Sequence, residues 1–94
     1  MAIEVEVFAS HGCNKCGQAK AVLRTLANEL GGDVIHWREV NVLEELDHAV
    51  ELGVLSTPAI AIDGELVFTG LPSTRKLRAE LERRLNPGGK ALQT

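Results

Sequence analysis

Along the first half of this chain the spacing of apolar residues switches between two periods, and this switching restricts the fold more than any other feature. Residues 3–9 (IEVEVFA) alternate apolar and acidic side chains and then become wholly apolar, which is typical of a strand that enters a core. From Cys13 or Asn14 to Leu30, apolar residues recur every three or four positions, which predicts an amphipathic helix ended by Gly31-Gly32. The chain therefore begins as a strand followed by a helix.

The next segment repeats this order. Residues 34–42 (VIHWREVNV) predict a second strand, and residues 43–52 predict a second helix that ends at Gly53. A strand, a helix and a second strand parallel to the first imply a right-handed crossover. We expect four residues of the second helix to face inward: Leu43, Leu46, Ala49 and Val50.

The remaining residues predict a hairpin and a last helix. Within residues 59–68, two short apolar runs are joined by Asp63-Gly64-Glu65, and Asp-Gly between such runs is the strongest short-range hairpin signal. Ser73 or Thr74 can cap a helix that continues to about Leu85. The complete predicted order is β-α-β-α-β-β-α, with antiparallel strands added beside a parallel pair.

Length and composition indicate one folded α/β domain. The chain has 94 residues, of which 45% are hydrophobic and 24% charged, so its composition is that of a globular protein rather than a disordered one. We expect a single domain over residues 1–86. Residues 87–94 begin with Pro-Gly-Gly, and we expect them to form a flexible C-terminal tail.

The charges argue against nucleic-acid or membrane partners. The formal net charge is -3, and the Lys and Arg residues alternate with acids instead of clustering. No apolar run approaches the roughly 20 residues that cross a bilayer, and Glu4 and Glu6 stand where a secretion signal would be basic and then apolar. We therefore expect a cytoplasmic protein. In that reducing compartment a close cysteine pair is more often a redox or metal site than a structural disulfide.

The chain has two cysteines, Cys13 and Cys16, in the stretch SHGCNKCG. By itself such a pair describes a redox dithiol, half of a zinc site, or two ordinary cysteines. At the start of a helix, Cys13 would lie near unpaired N–H groups that favour the thiolate, whereas Cys16 would turn toward the interior. Lys15 adds a positive charge that favours the thiolate further, and His11 can tune the pKa of Cys13 or complete a metal site.

The position of the pair favours the redox interpretation, because a CxxC at the first strand-to-helix junction of a βαβ unit is a redox context. We predict that the Cys13 thiolate attacks a substrate disulfide and that Cys16 then resolves the mixed disulfide. Two cysteines suffice for the cycle. The redox-active disulfide is therefore the only redox group predicted, with no cofactor and no metal.

Two stretches, VFASHGCNKCGQAK and GVLSTPAIAIDGELVFTG, together with the element order, resemble the thioredoxin superfamily in its minimal, glutaredoxin-sized form. The resemblance covers about residues 3–85 and implies a minimal thioredoxin fold, with a four-stranded mixed sheet flanked by three helices. It also implies that Pro58 follows a cis peptide bond beside the cysteines. The peptide group of Thr57 would then pair with an extended substrate strand. Together with Thr57 and Pro58, three further residues are expected to line the substrate site: Gly12, Asn14 and Gly70.

The sequence departs from both familiar branches of that superfamily. Thioredoxins have Trp-Cys-Gly-Pro-Cys and a buried acid in the preceding strand, where this chain has Val7 or Phe8. Glutaredoxins usually have Pro-Tyr within the motif and a Gly-Gly-x-x-Asp stretch after the hairpin, which residues 69–74 do not match. The chain is more similar to small bacterial and archaeal redox proteins that use protein dithiol donors.

The leading hypothesis is an enzyme, a thiol–disulfide oxidoreductase that reduces protein disulfides with electrons from a thioredoxin-reductase-like donor. One alternative is a glutathione-dependent glutaredoxin. Another is a soft-metal-binding module that uses Cys13 and Cys16, with His11 as a third ligand. A monomer is expected in each case.

Overall fold

The computed structural model describes residues 2–85. Its seven elements follow the predicted order. They are β1 (Ile3–Ala9), α1 (Cys16–Leu30), β2 (Ile35–Asn41), α2 (Leu46–Leu52), β3 (Ala59–Ile62), β4 (Glu65–Thr69) and α3 (Thr74–Leu85).

The four strands form one mixed sheet in the order β2-β1-β3-β4. β1 runs parallel to β2 over its whole length, so that Ile3 lies opposite Ile35 and Ala9 opposite Asn41. β3 is antiparallel to both β1 and β4. The predicted fold class, a four-stranded mixed sheet with three helices, is confirmed.

The helices cover the two faces of the sheet unequally. α1 and α3 pack on one face, where Val5 and Val7 of β1 meet Leu23 of α1 and Leu77 of α3 in the larger core cluster. α2 packs on the other face, where Ala49 meets a smaller cluster that includes Phe8 of β1. Successive residues of a strand point to opposite faces, so β1 supplies both clusters.

The hairpin forms at the predicted Asp-Gly. Asp63 (φ 52°) and Gly64 (φ 80°) both adopt left-handed backbone conformations, which a tight two-residue β-turn requires. β4 therefore begins at Glu65, one residue earlier than the apolar run suggested. α3 then begins as predicted, because the Ser73 hydroxyl accepts a hydrogen bond from the Lys76 N–H at 3.1 Å.

The first helix begins later than predicted, at Cys16 instead of Cys13 or Asn14. The Cys13 N–H donates to the Ser10 carbonyl at 3.3 Å, which closes a turn and not a helical hydrogen bond. The first helical bond of α1 runs from the Ala19 N–H to the Lys15 carbonyl at 3.0 Å. Cys13 therefore lies in the turn before the helix and Cys16 is its first residue.

The second helix is shorter than predicted. The Asn41 side-chain oxygen accepts hydrogen bonds from the Leu43 and Glu44 N–H groups at 2.9 and 3.2 Å, which holds residues 41–44 in a turn. The helix then begins at Leu46 and has seven residues.

The prediction of which residues of this helix face inward was mostly wrong. Ala49 is buried, but Leu43, Leu46 and Val50 are exposed by 70%, 54% and 65% of their surface. So short a helix reaches the sheet along a narrow line, on which Ala49 and the half-buried Leu52 lie. The larger apolar side chains therefore remain in solvent.

The tail expected over residues 87–94 lies outside the described residues. Within residues 2–85, no helix is long and apolar enough to cross a membrane.

A matched pair of leucine substitutions tests the assignment of the core. Leu23→Ala deletes a fully buried side chain of the larger cluster, and we expect it to lower the free energy of unfolding by about 2–5 kcal/mol. Leu55→Ala removes the same atoms from a side chain that is 95% exposed, and we expect a change within about 0.5 kcal/mol. Urea denaturation of both variants measures the difference. Equal destabilisation by both would contradict this assignment of the core.

Candidate active site

The site is built around a disulfide between the two cysteines. Cys13 Sγ is bonded to Cys16 Sγ at 2.10 Å, and the two Cα atoms are 5.5 Å apart. Cys13 is half-buried in the turn between β1 and α1, whereas Cys16 is only 5% exposed. Cys13 is thus the more accessible residue of the pair, and Cys16 is the first residue of a 15-residue helix.

The turn that carries Cys13 follows directly from the end of β1. Gly12 has a left-handed backbone (φ 77°), a conformation that other residues rarely adopt, and it reverses the chain just before Cys13. Ser10 closes the turn through its carbonyl, which accepts the Cys13 N–H. The position of Cys13 is therefore set by the backbone of residues 10–13.

A second loop lies beside this turn. The peptide bond between Thr57 and Pro58 is cis, and Pro58 is buried. The Pro58 carbonyl accepts a hydrogen bond from the Gly70 N–H at 2.7 Å. The structure thus brings Thr57, Pro58 and Gly70 together where β3 begins and β4 ends.

A hydrogen bond between two hydroxyl groups joins the two loops. Ser10 Oγ lies 2.7 Å from Thr57 Oγ1, and the bond is partly buried. Our sequence analysis did not single out Ser10, because its partner lies 47 residues away in the chain. The available signal was its place directly after a strand that pairs with the strand following Thr57.

Three other predicted site residues surround the cysteines without contacting partners. His11, Asn14 and Lys15 are all exposed, and within residues 2–85 their side chains form no hydrogen bond or ion pair. Lys15 is the N-cap residue of α1, so its backbone position is defined while its side chain extends into solvent. Their predicted roles remain predictions.

No carboxyl group lies buried beneath the disulfide. Val7 is fully buried in the cluster that α1 covers, and within residues 2–85 no polar or charged side chain is fully buried. Glu6 precedes it in the strand and points to the opposite face, where it contacts Arg38 and His48 at 2.7 and 2.9 Å. Glu6 is therefore separated from Cys16 by the sheet.

The same part of the chain contains no group of three or more His, Cys, Asp or Glu residues placed to hold a metal ion. His11, which would be the third ligand of the metal-binding alternative, does not form such a group with the cysteines.

Comparisons with known proteins agree with this geometry. A family model described as Thioredoxin domain matches residues 1–82. The chain is 34% identical to a thioredoxin of Methanocaldococcus jannaschii over 83 residues, which are 88% of this chain and 96% of that protein. It is 35% identical to a probable thioredoxin of Methanothermobacter thermautotrophicus over 77 residues, which are 82% of this chain and 89% of that protein.

A solved structure extends the likeness to three dimensions. A mutant thioredoxin from Halobacterium salinarum superposes with a TM-score of 0.71 at 26% identity, covering 85% of this chain and 72% of that one. The shared fold, the family match and the closed CxxC disulfide all agree. The chain therefore belongs to the thioredoxin superfamily and is a thiol–disulfide oxidoreductase.

Proposed function

We propose that this protein reduces disulfide bonds in other proteins and is itself reduced by a thioredoxin-reductase-like donor. The observation that carries the proposal is the disulfide between a half-buried Cys13 and a buried Cys16 at the start of α1. This asymmetry suits a pair in which one sulfur meets the substrate and the other completes the reaction internally.

In the first step, the thiolate of reduced Cys13 attacks one sulfur of the substrate disulfide. A bond forms between Cys13 Sγ and that sulfur, the substrate S–S bond breaks, and the other substrate sulfur leaves as a thiolate that takes up a proton. The unpaired N–H groups at the start of α1 and the exposed charge of Lys15 favour the Cys13 thiolate, the latter weakly because water screens it. We assign Lys15 and His11 this tuning role.

In the second step, the Cys16 thiolate attacks Cys13 Sγ. The disulfide between Cys13 and Cys16 forms, the mixed disulfide breaks, and the second substrate thiolate leaves. The substrate has gained two electrons, and the protein is left in the oxidised form that the structure contains. Because no carboxyl among residues 2–85 is buried beside Cys16, we propose that water accepts its proton.

Substrate recognition is assigned to the loops around the disulfide. An extended segment of the substrate would pair with the backbone of Thr57, which precedes the buried Pro58. Gly12, Asn14 and Gly70 would line the same site. The hydroxyl pair of Ser10 and Thr57 supports this assignment, because it ties the recognition loop to the turn that carries Cys13.

Single-cysteine variants test the order of attack. Reduced Cys16→Ser should accumulate a mixed disulfide with a disulfide-linked peptide, because its Cys13 can attack and nothing resolves the product. Intact mass spectrometry should show one peptide adduct that dithiothreitol releases. Cys13→Ser is the matched control and should stay free of adduct over the same time. Faster adduct formation on Cys13→Ser would assign the attacking role to Cys16 instead.

A redox titration tests the direction of the reaction and the class of donor. In dithiothreitol buffers, with free thiols trapped by an alkylating agent and counted by mass, we expect a two-electron transition near the typical thioredoxin value of about -270 mV. A thioredoxin reductase should reduce the oxidised protein faster than glutathione with glutathione reductase does. A potential at or above about -230 mV, with faster reduction by glutathione, would favour the glutaredoxin alternative.

A further inference from the structure

An apolar surface without a partner lies on the α2 side of the molecule. Within residues 2–85, the large hydrophobic side chains that are exposed are Leu43, Leu46, Val50 and Leu55, and Leu55 is 95% exposed. We call these four residues the α2 ridge. Leu46 and Val50 are four positions apart and therefore lie side by side on the helix. Single exposed apolar side chains are ordinary on protein surfaces, but here four large ones lie within a segment of 13 residues.

The ridge is continuous with the active site through a groove. A cavity of about 340 Å³ is lined by Leu46 and Leu55 of the ridge, by three further apolar residues, and by Ser10 and Thr57. Ser10 and Thr57 are the hydrogen-bonded pair that borders the disulfide turn. A polypeptide bound at the disulfide can therefore continue into an apolar groove.

The far side of the ridge is acidic. A second, open depression of about 410 Å³ meets the first at Leu46, and its lining includes Glu44, Glu45 and Asp47. Glu44 and Asp47 are exposed, and within the described residues neither carboxylate forms an ion pair. Two carboxylates on this side thus remain free to meet a positively charged partner.

Two basic side chains beside the depression already have carboxylate partners. Arg38 lies 2.7 Å from Glu6 and 3.1 Å from Glu45, and His48 lies 2.9 Å from Glu6. The hydrogen bond from Arg38 also lowers the pKa of Glu45, which keeps this carboxylate ionised. The depression therefore carries an excess of negative charge.

We propose that the α2 ridge and the acidic depression bind the segment of a protein substrate that flanks its reactive cysteine. This segment would be apolar next to the cysteine, where it lies in the groove, and basic beyond Leu46, where it reaches the acidic depression. The inference rests on the proposed function, because it takes the occupant of the site to be a disulfide of another protein. A second copy of this chain is a poorer occupant, since two acidic depressions would repel each other at the contact.

Model substrates of fixed length test the chemistry of the partner. The first probe is a disulfide-linked peptide whose cysteine is flanked on both sides by leucine and then lysine. In the second probe glutamates replace the lysines, and in the third serines replace the leucines. The reduced protein is mixed with each peptide, quenched with an alkylating agent and analysed by mass to obtain a second-order rate constant. Each constant is divided by that of the same peptide with dithiothreitol, which removes differences in intrinsic reactivity.

We expect the leucine–lysine peptide to react about tenfold faster than the leucine–glutamate peptide at low salt, with the difference shrinking toward unity at 0.5 M NaCl. It should also react about three- to tenfold faster than the serine–lysine peptide, and this second difference should survive high salt. The order of the three rates thus separates the charged and the apolar contributions.

Surface variants locate the effect on the molecule. The double variant Glu44→Gln/Asp47→Asn should lose most of the preference for lysine, and Leu55→Ala should lose most of the preference for leucine. The matched control Asp33→Asn/Glu82→Gln changes the net charge equally, at two exposed residues outside the ridge and the depression, and should keep both preferences. All variants should reduce the small disulfide 2-hydroxyethyl disulfide at the rate of the unmodified protein.

The outcomes separate this inference from the proposed function. If the small disulfide is reduced but the normalised rate constants of the three peptides differ less than twofold, the docking role of the ridge is overturned while the reductase activity stands. If the small disulfide does not react, the proposed function fails. If sedimentation shows a dimer that Leu55→Ala dissociates, a second copy is the occupant and the inference is overturned.

Discussion

The structure depends on the pairing of β1 along both of its edges. β2 pairs with it in parallel and β3 antiparallel, so its backbone groups are satisfied by two strands that come from later parts of the chain. Its side chains supply both cores, with Val7 beneath α1 and Phe8 on the α2 side. The chain leaves this strand at Ala9, in the middle of the sheet, and the turn with Cys13 follows at once. The turn that carries Cys13 therefore begins at a strand that is paired along both edges.

The unequal covering of the sheet explains both the close packing of the helix that begins at Cys16 and the exposed surface on the α2 side. α1 and α3 have 15 and 12 residues and bury the larger cluster, so Cys16 begins a helix that is anchored over several turns. α2 has seven residues and buries Ala49 alone among its own side chains. One side of the sheet is thus covered by two long helices, while the α2 side presents apolar groups to solvent.

Most of the fold was predictable because the relevant signals are local. The alternation in β1, the three- and four-residue spacing in α1 and the Asp63-Gly64 turn each depend on a few neighbouring residues, and each is found in the structure. The inward face of α2 was not predictable in this way. The side chain of Asn41 delays the start of that helix to Leu46, so Leu43 lies outside it. The seven remaining residues reach the sheet only through Ala49 and Leu52. Periodicity describes a helix face only when the helix is long enough to define it.

The sequence alone determined the order of the elements and the placement of both cysteines at the first strand-to-helix junction, since these follow from local patterns and spacing. Only the tertiary structure decided that Ser10 bonds to Thr57 across the site, and that Leu43, Leu46, Val50 and Leu55 remain exposed. Burial and contacts between residues far apart in the chain depend on how all the layers pack together. No local pattern of residues contains that information.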